Sequence, residues 1–153
     1  MFSKKAVKRF VLSLFILCGL GIQGNCAPNS DGVGIGIVVG DPTGFAAKFW
    51  INHINAVDVM VGFGDENFHI DYLWHKFGVF PVSSGRLPLY YGFGGAAHFG
   101  KHPDIGVRVP FGITYLFPHD PIDIFFEIAP VIYVANRSEL DLTAGAGIRF
   151  FFR

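Results

Sequence analysis

From residue 32 onward, apolar residues recur at every second position, and the alternation restarts after each short cluster of glycine, proline, serine or asparagine. Helical spacing never appears, so the chain reads as successive β-strands whose two faces differ in character. Strand one carries Val33, Ile35, Ile37 and Val39 on one face, and strand two carries Phe45, Ala47, Phe49 and Ile51. Strand three shows Val57, Val59, Val61 and Phe63, and strand four shows Phe68, Ile70, Tyr72 and Trp74. After a longer connection, Lys76 to Arg86, strand five runs from Leu87 to Phe99, strand six from Ile105 to Phe117 and strand seven from Ile122 to Val134. Strand eight, Leu140 to Phe152, is about 13 residues long, enough to cross a bilayer as a tilted strand. Pro110 and Pro130 fall inside strands six and seven, where each removes a ladder hydrogen bond, so a bulge is expected at one or both.

The opposite face decides the environment. It is largely glycine (Gly34, Gly36, Gly62, Gly92, Gly94, Gly106, Gly112, Gly145, Gly147), and among these stand Lys48, Asp58, Asp71, Arg108, Asp123, Glu127, Asp141 and Arg149. A solvated exterior would instead carry many Lys, Glu, Thr and Ser side chains. Small residues alternating with a few charged ones fit the filled interior of a narrow barrel, with the apolar face turned to lipid. The expected fold is therefore all-β: an eight-stranded antiparallel up-and-down transmembrane β-barrel over residues 32–153.

Aromatics are expected to form two interfacial girdles. With the first strand starting at the periplasmic side, Phe45, Phe63, Phe68 and Phe99 fall at the outer ends of strands. Phe49, Trp74, Tyr115, Phe117, Phe150 and Phe152 fall at the inner ends.

Composition adds the compartment. The chain has 153 residues, 51% hydrophobic and 16% aromatic, yet its longest uncharged apolar stretch, Phe10 to Ile22, is too short for a membrane-spanning helix. That stretch follows Lys4, Lys5, Lys8 and Arg9 and precedes small residues, the order of a secretory signal peptide. Residues 1–26 are read as the cleaved signal, with cleavage after Cys26 preferred to cleavage after Ala27 because Pro28 would adjoin the latter bond, and 27–31 as a short leading segment. Gln23, Gly24 and Asn25 do not match the run before a lipidated cysteine. Loss of the signal takes both cysteines and four basic residues, leaving eight Lys and Arg against twelve Asp and Glu, a net charge of about −4. This speaks against a nucleic-acid reader and against disulfide, zinc-thiolate or thiol chemistry.

Interior charges need partners. A tight turn at Asn52 to Ile54 sets Lys48 opposite Asp58, and a turn near Arg137 sets Arg149 diagonal to Glu127, so the eight charged residues are expected to form a salt-bridge network that fills the barrel. His69, Asp71 and His75 share a face of strand four and His98 faces inward on strand five, but neighbours on one face lie about 6.6 Å apart, too spread to converge on one ion. No metal or other cofactor is therefore expected. Ser30, Ser83, Ser84 and Ser138 all lie outside strands, and none stands two residues from a histidine, so no catalytic constellation is read.

This pattern resembles the small eight-stranded bacterial outer-membrane barrels of the OmpX and OmpA membrane-domain type over residues 32–153. The most specific part is Gly147-Ile148-Arg149-Phe150-Phe151-Phe152, similar to the C-terminal insertion signal in which Gly147 is followed by aromatics at Phe150 and Phe152. Here Arg153 follows the last aromatic, and Gly145 stands where a polar residue is usual. The resemblance implies an outer-membrane location, insertion by the barrel-assembly machinery, contact with membrane lipids and lipopolysaccharide, and a monomer with a structural or interaction role. The alternatives are an outer-membrane lipid-modifying enzyme, a small-solute channel and a soluble lipid-binding barrel. The connections on the presumed outer side are short, which disfavours a long receptor loop, and Lys76 to Arg86 is read as a plain periplasmic connector.

Overall fold

The computed structural model describes residues 32–64, 67–135 and 139–152. The signal segment 1–26, the leading segment 27–31 and Arg153 lie outside the described residues. The described chain is all β: β1 (Val33–Gly40), β2 (Gly44–Trp50), β3 (Asn55–Gly62), β4 (Asn67–Lys76), β5 (Leu89–His98), β6 (Asp104–Arg108), β7 (Phe111–Leu116), β8 (Ile122–Tyr133) and β9 (Glu139–Phe152). Each strand pairs antiparallel with its neighbours, and β1 pairs with β9 from Val33 opposite Phe152 to Gly40 opposite Gly145, so the sheet closes into a ring. Closure removes the unpaired edges that an open sheet would present.

The nine strands correct the expected eight at one place. Strand six of the sequence reading is divided into β6 and β7 at Val109 and Pro110. Proline has no N–H to give to the ladder, so pairing lapses there. The expected bulge is absent: β6 and β7 both lie between β5 and β8, and the register against each neighbour is the same before and after the break. The proline carbonyls remain in use, Pro110 accepting from Gly92 N–H at 3.0 Å and Pro130 from Val109 N–H at 3.1 Å. Pro130 itself stays within β8, opposite Leu142.

Burial is inverted relative to a protein folded around an apolar core. Lys48, Asp58, Asp71, Arg108, Asp123, Glu127 and Arg149 are all buried, whereas Val39 is 65% exposed, Leu142 66% and Leu140 71%. Strand parity is the cause, because each strand sends alternate side chains to the two sides of the closed sheet. Inside, the charged layer lies between apolar ones. Along β2 the inward residues run Trp50, Lys48, Ala46; along β3, Ala56, Asp58, Met60; along β9, Phe151, Arg149, Gly147. Trp50, Ala56 and Phe151 form one buried cluster, and Val38, Ala46, Met60 and Phe125 form another.

The inward glycines have a packing purpose. A Cβ at Gly112 would stand 2.3 Å from the Tyr90 ring, and one at Gly147 would stand 2.5 Å from the Phe125 ring. Large interior rings therefore require bare backbone on the neighbouring strand.

Candidate functional site

The interior charges are gathered around two arginines. Arg149 on β9 stands opposite Asp123 on β8, and donates from Nε to Oδ1 at 3.0 Å and from Nη2 to Oδ2 at 3.1 Å. Its remaining nitrogen, Nη1, crosses the interior to Asp58 Oδ2 on β3 at 2.6 Å, and its guanidinium lies 3.9 Å from the centre of the Phe125 ring. The planar fork of arginine suits this geometry, with two parallel bonds to one carboxylate and a third to another. The Thr114 hydroxyl adds a bond to Asp123 Oδ2 at 3.2 Å.

Arg108 on β6 organises the second group. Its Nη2 donates to Glu127 Oε1 at 2.5 Å, its Nε stands 3.5 Å from Asp71 Oδ2, and its Nη1 donates to His69 Nδ1. Arginine has only donors, so His69 Nδ1 is the acceptor nitrogen. The Tyr90 hydroxyl donates to Glu127 Oε2 at 3.0 Å, so both carboxylate oxygens of Glu127 are occupied. Removing that hydroxyl in Tyr90→Phe is expected to lower stability by about 1–3 kcal/mol, because a buried carboxylate oxygen loses its donor. Urea unfolding of the refolded barrel measures this, and an unchanged midpoint would show that the bond contributes nothing.

Lys48 is placed differently from either arginine. Its Nζ donates to His75 Nε2 at 2.7 Å and lies over the rings of Trp50, at 4.8 Å, and Tyr90, at 5.1 Å. His75 Nδ1 in turn donates to the Ile54 carbonyl at 3.1 Å, which fixes the ring so that Nε2 accepts. The two ring faces supply cation–π attraction where water is excluded.

Seven of the eight expected interior charges occupy this cluster, with three corrections. Lys48 is opposite Asp58 in register, as the tight turn requires, but the Asp58 carboxylate bonds Arg149 while Lys48 turns to His75. Arg149 is not partnered diagonally with Glu127: Asp123 stands directly opposite it, and Glu127, opposite Gly145, goes to Arg108 and Tyr90. Asp141 is exposed and outside the cluster, its carboxylate accepting the Leu142 N–H at 2.8 Å. It lies beyond the reach of β1, whose pairing with β9 ends at Gly145, and one inward position past Thr143, which is still buried. Tyr90, Thr114 and the ring faces of Trp50 and Phe125 are participants that the sequence reading did not single out. Their signal was parity, since Tyr90 and Thr114 stand on the inward face of their strands.

Among the described residues, the buried atoms Trp50 Nε1, Asn55 Oδ1, Asp58 Oδ1, Asp71 Oδ1 and Arg108 Nε have no hydrogen-bond partner. No group of three or more His, Cys, Asp or Glu placed to hold a metal ion occurs among the described residues. His98, with its Nδ1 2.6 Å from Asn67 Oδ1, stands near the end of β5, while His69 lies opposite Ala96. A cleft lined by Val38, Asp41, Met60, Arg108, Glu127 and Thr143 reaches the cluster from the β1–β2 turn side, with about 10 Å³ for the centre of a water-sized sphere, the room of one water.

The expected girdle residues lie toward the strand ends. Phe45 and Phe63 meet edge to face at 4.7 Å near the β1–β2 turn, and both are more than half exposed. Phe68 is half-buried and Phe99 is exposed toward the same end. Toward the other end, Trp74 lies 4.9 Å from Tyr72 and 6.0 Å from Tyr91, Tyr115 lies 4.9 Å from Phe117, and Phe150 lies 5.2 Å from Phe152. Phe49 is half-buried beside this group, opposite Val33. In the C-terminal motif, Phe150 and Phe152 point outward and Gly147 lies under the Phe125 ring. No protein family, no curated protein and no solved structure matches this chain.

Proposed function

We propose that this chain is an integral β-barrel of the bacterial outer membrane, filled rather than open, with a structural or interaction role in the cell envelope. The observation that carries the reading is the inverted burial: the seven charged side chains of the cluster, and Asp104 as well, are buried, while large Ile, Val, Leu and Phe side chains are exposed on the outward face. Water would penalise that face, and a hydrocarbon layer would accept it. The closed ring also suits a bilayer, because every strand finds its backbone partners within the sheet.

Counted as one interrupted strand, β6 and β7 make an eight-strand circuit. Carried once around it, the registers advance by about ten residues, and with strands about 4.8 Å apart this corresponds to a tilt of about 40°, within the range of membrane barrels. Such a barrel holds side chains and little else, so it serves poorly as a channel. Export through the 1–26 segment, insertion by the barrel-assembly machinery, and a monomer in contact with phospholipid and lipopolysaccharide all belong to this reading.

The direct test is electrophoretic. Folded in detergent and loaded unheated, the chain is expected to migrate faster than after boiling, and in cells it is expected to fractionate with the outer membrane. Absence of both behaviours would favour a soluble lipid-binding barrel. In planar bilayers, no steady conductance is expected; stepwise openings would replace the filled barrel with a small-solute channel.

A further inference from the structure

The connection between β4 and β5 does two opposite things with its apolar residues. Phe77 continues the inward parity of β4 and packs on the Trp50, Ala56 and Phe151 cluster, with the Arg86 guanidinium 5.3 Å from its ring centre. Gly78 then takes φ +75°, a left-handed turn available to glycine, and the chain leaves the ring. Past that turn Val79, Phe80 and Val82 are 40%, 43% and 39% exposed. Return is secured at Gly85, with φ +69°, by the Tyr115 hydroxyl donating to the Ser84 carbonyl at 3.1 Å, and by Arg86 exchanging backbone bonds with Leu116 at 3.0 and 2.8 Å.

From Phe77 to Gly85 the loop has no charged residue, and cationic residues bracket it at Lys76 and Arg86. Its roots are at the barrel end where the outward aromatics Trp74, Tyr91 and Tyr115 stand, and its return segment is bonded to Tyr115 of that set. An uncharged apolar tip with the exposed Lys76 at its root matches the boundary between acyl chains and anionic headgroups, where aliphatic and aromatic side chains bury and lysine reaches the phosphates.

We infer that the Val79–Val82 tip is a phospholipid-binding surface, seated in the headgroup boundary of the leaflet at this end and anchoring the barrel's depth and tilt. The inference rests on the membrane reading above, and its test separates the two. In a full chain with Cys18 and Cys26 replaced by alanine, an environment-sensitive fluorophore is attached at Val82→Cys on the tip, at Ile70→Cys on the outward band, or at Lys101→Cys on a loop at the other end. Each variant is refolded into phosphatidylethanolamine and phosphatidylglycerol vesicles containing lipids spin-labelled near the headgroup, and its folded state is checked by the gel shift. Loss of most of the emission at both Val82 and Ile70, with little loss at Lys101, is the expected result. Quenching at Ile70 with a water-like, unquenched signal at Val82 would overturn the lipid-bound tip and leave the barrel reading intact. No quenching at Ile70 would overturn both.

Discussion

Replacing Arg149 with methionine is expected to destabilise the folded ring by about 3–5 kcal/mol, the cost of stranding buried charges when their partner is removed. Methionine roughly keeps the length and apolar stem of arginine, so the loss isolates the guanidinium. That group makes three charge-assisted bonds, two to Asp123 and one to Asp58, and all three residues are 1% exposed or less. Without it, neither carboxylate has a cation in contact, and the Thr114 hydroxyl is too weak to substitute. Arg149→Lys should recover little, because an ammonium cannot form the fork to Asp123 and still reach Asp58. Adding Asp123→Asn and Asp58→Asn to Arg149→Met should restore much of the loss, since the charges then disappear together. Equilibrium unfolding in urea, followed by the unheated gel band, gives these values. A loss below about 1 kcal/mol in Arg149→Met would mean that the guanidinium is not the centre of the cluster.

Phe126→Arg is expected to cost about 2–4 kcal/mol when the chain is folded into lipid vesicles, the penalty for a cation near the bilayer midplane. Phe126 is 50% exposed, stands midway along β8 opposite Ala146, and faces away from the charge cluster. At an exposed site on a water-soluble protein the same change would stay within about 0.5 kcal/mol. The two environments therefore predict different outcomes for one substitution. The unfolding free energy in vesicles decides between them, and a neutral result would remove the membrane from the account. The effect should also depend on depth: Phe152→Arg, at the end of β9, should cost less than Phe126→Arg.

Much of the fold was legible because period-two patterning is local. Asp123 and Glu127 on one strand, like Lys48 on another, could be assigned to the inward face from their immediate neighbours, without knowing which strand lay beside them. The Lys48 and Asp58 register was legible for the same reason, since a tight turn fixes the pairing of the strands it joins. The division at Pro110 was half legible: proline signalled a lapse in the ladder, but whether the chain bulges or holds its register depends on β5 and β8, which grip it from both sides.

The bonding partners were not legible. Arg149 and Asp58 are 91 residues apart and meet across the interior, and Arg108 meets His69 across 39 residues. Asp141 shows the same limit from the other direction. Its inward parity was correct, yet parity says nothing about where along a strand enclosure stops: past the end of β1 at Gly145, Thr143 is still buried and Asp141, one inward position further, is exposed.

By itself, the sequence determined the all-β character, the two-faced strands and the sorting of charges from aliphatic residues, because each depends only on alternation within a few residues. Tertiary structure alone decided that the sheet closes, that Arg149 chooses Asp123 and Asp58, and that Lys48 is held by His75 between two aromatic rings. Those choices depend on the stagger of strands around the ring, which accumulates over every pairing and brings together side chains that no local pattern relates.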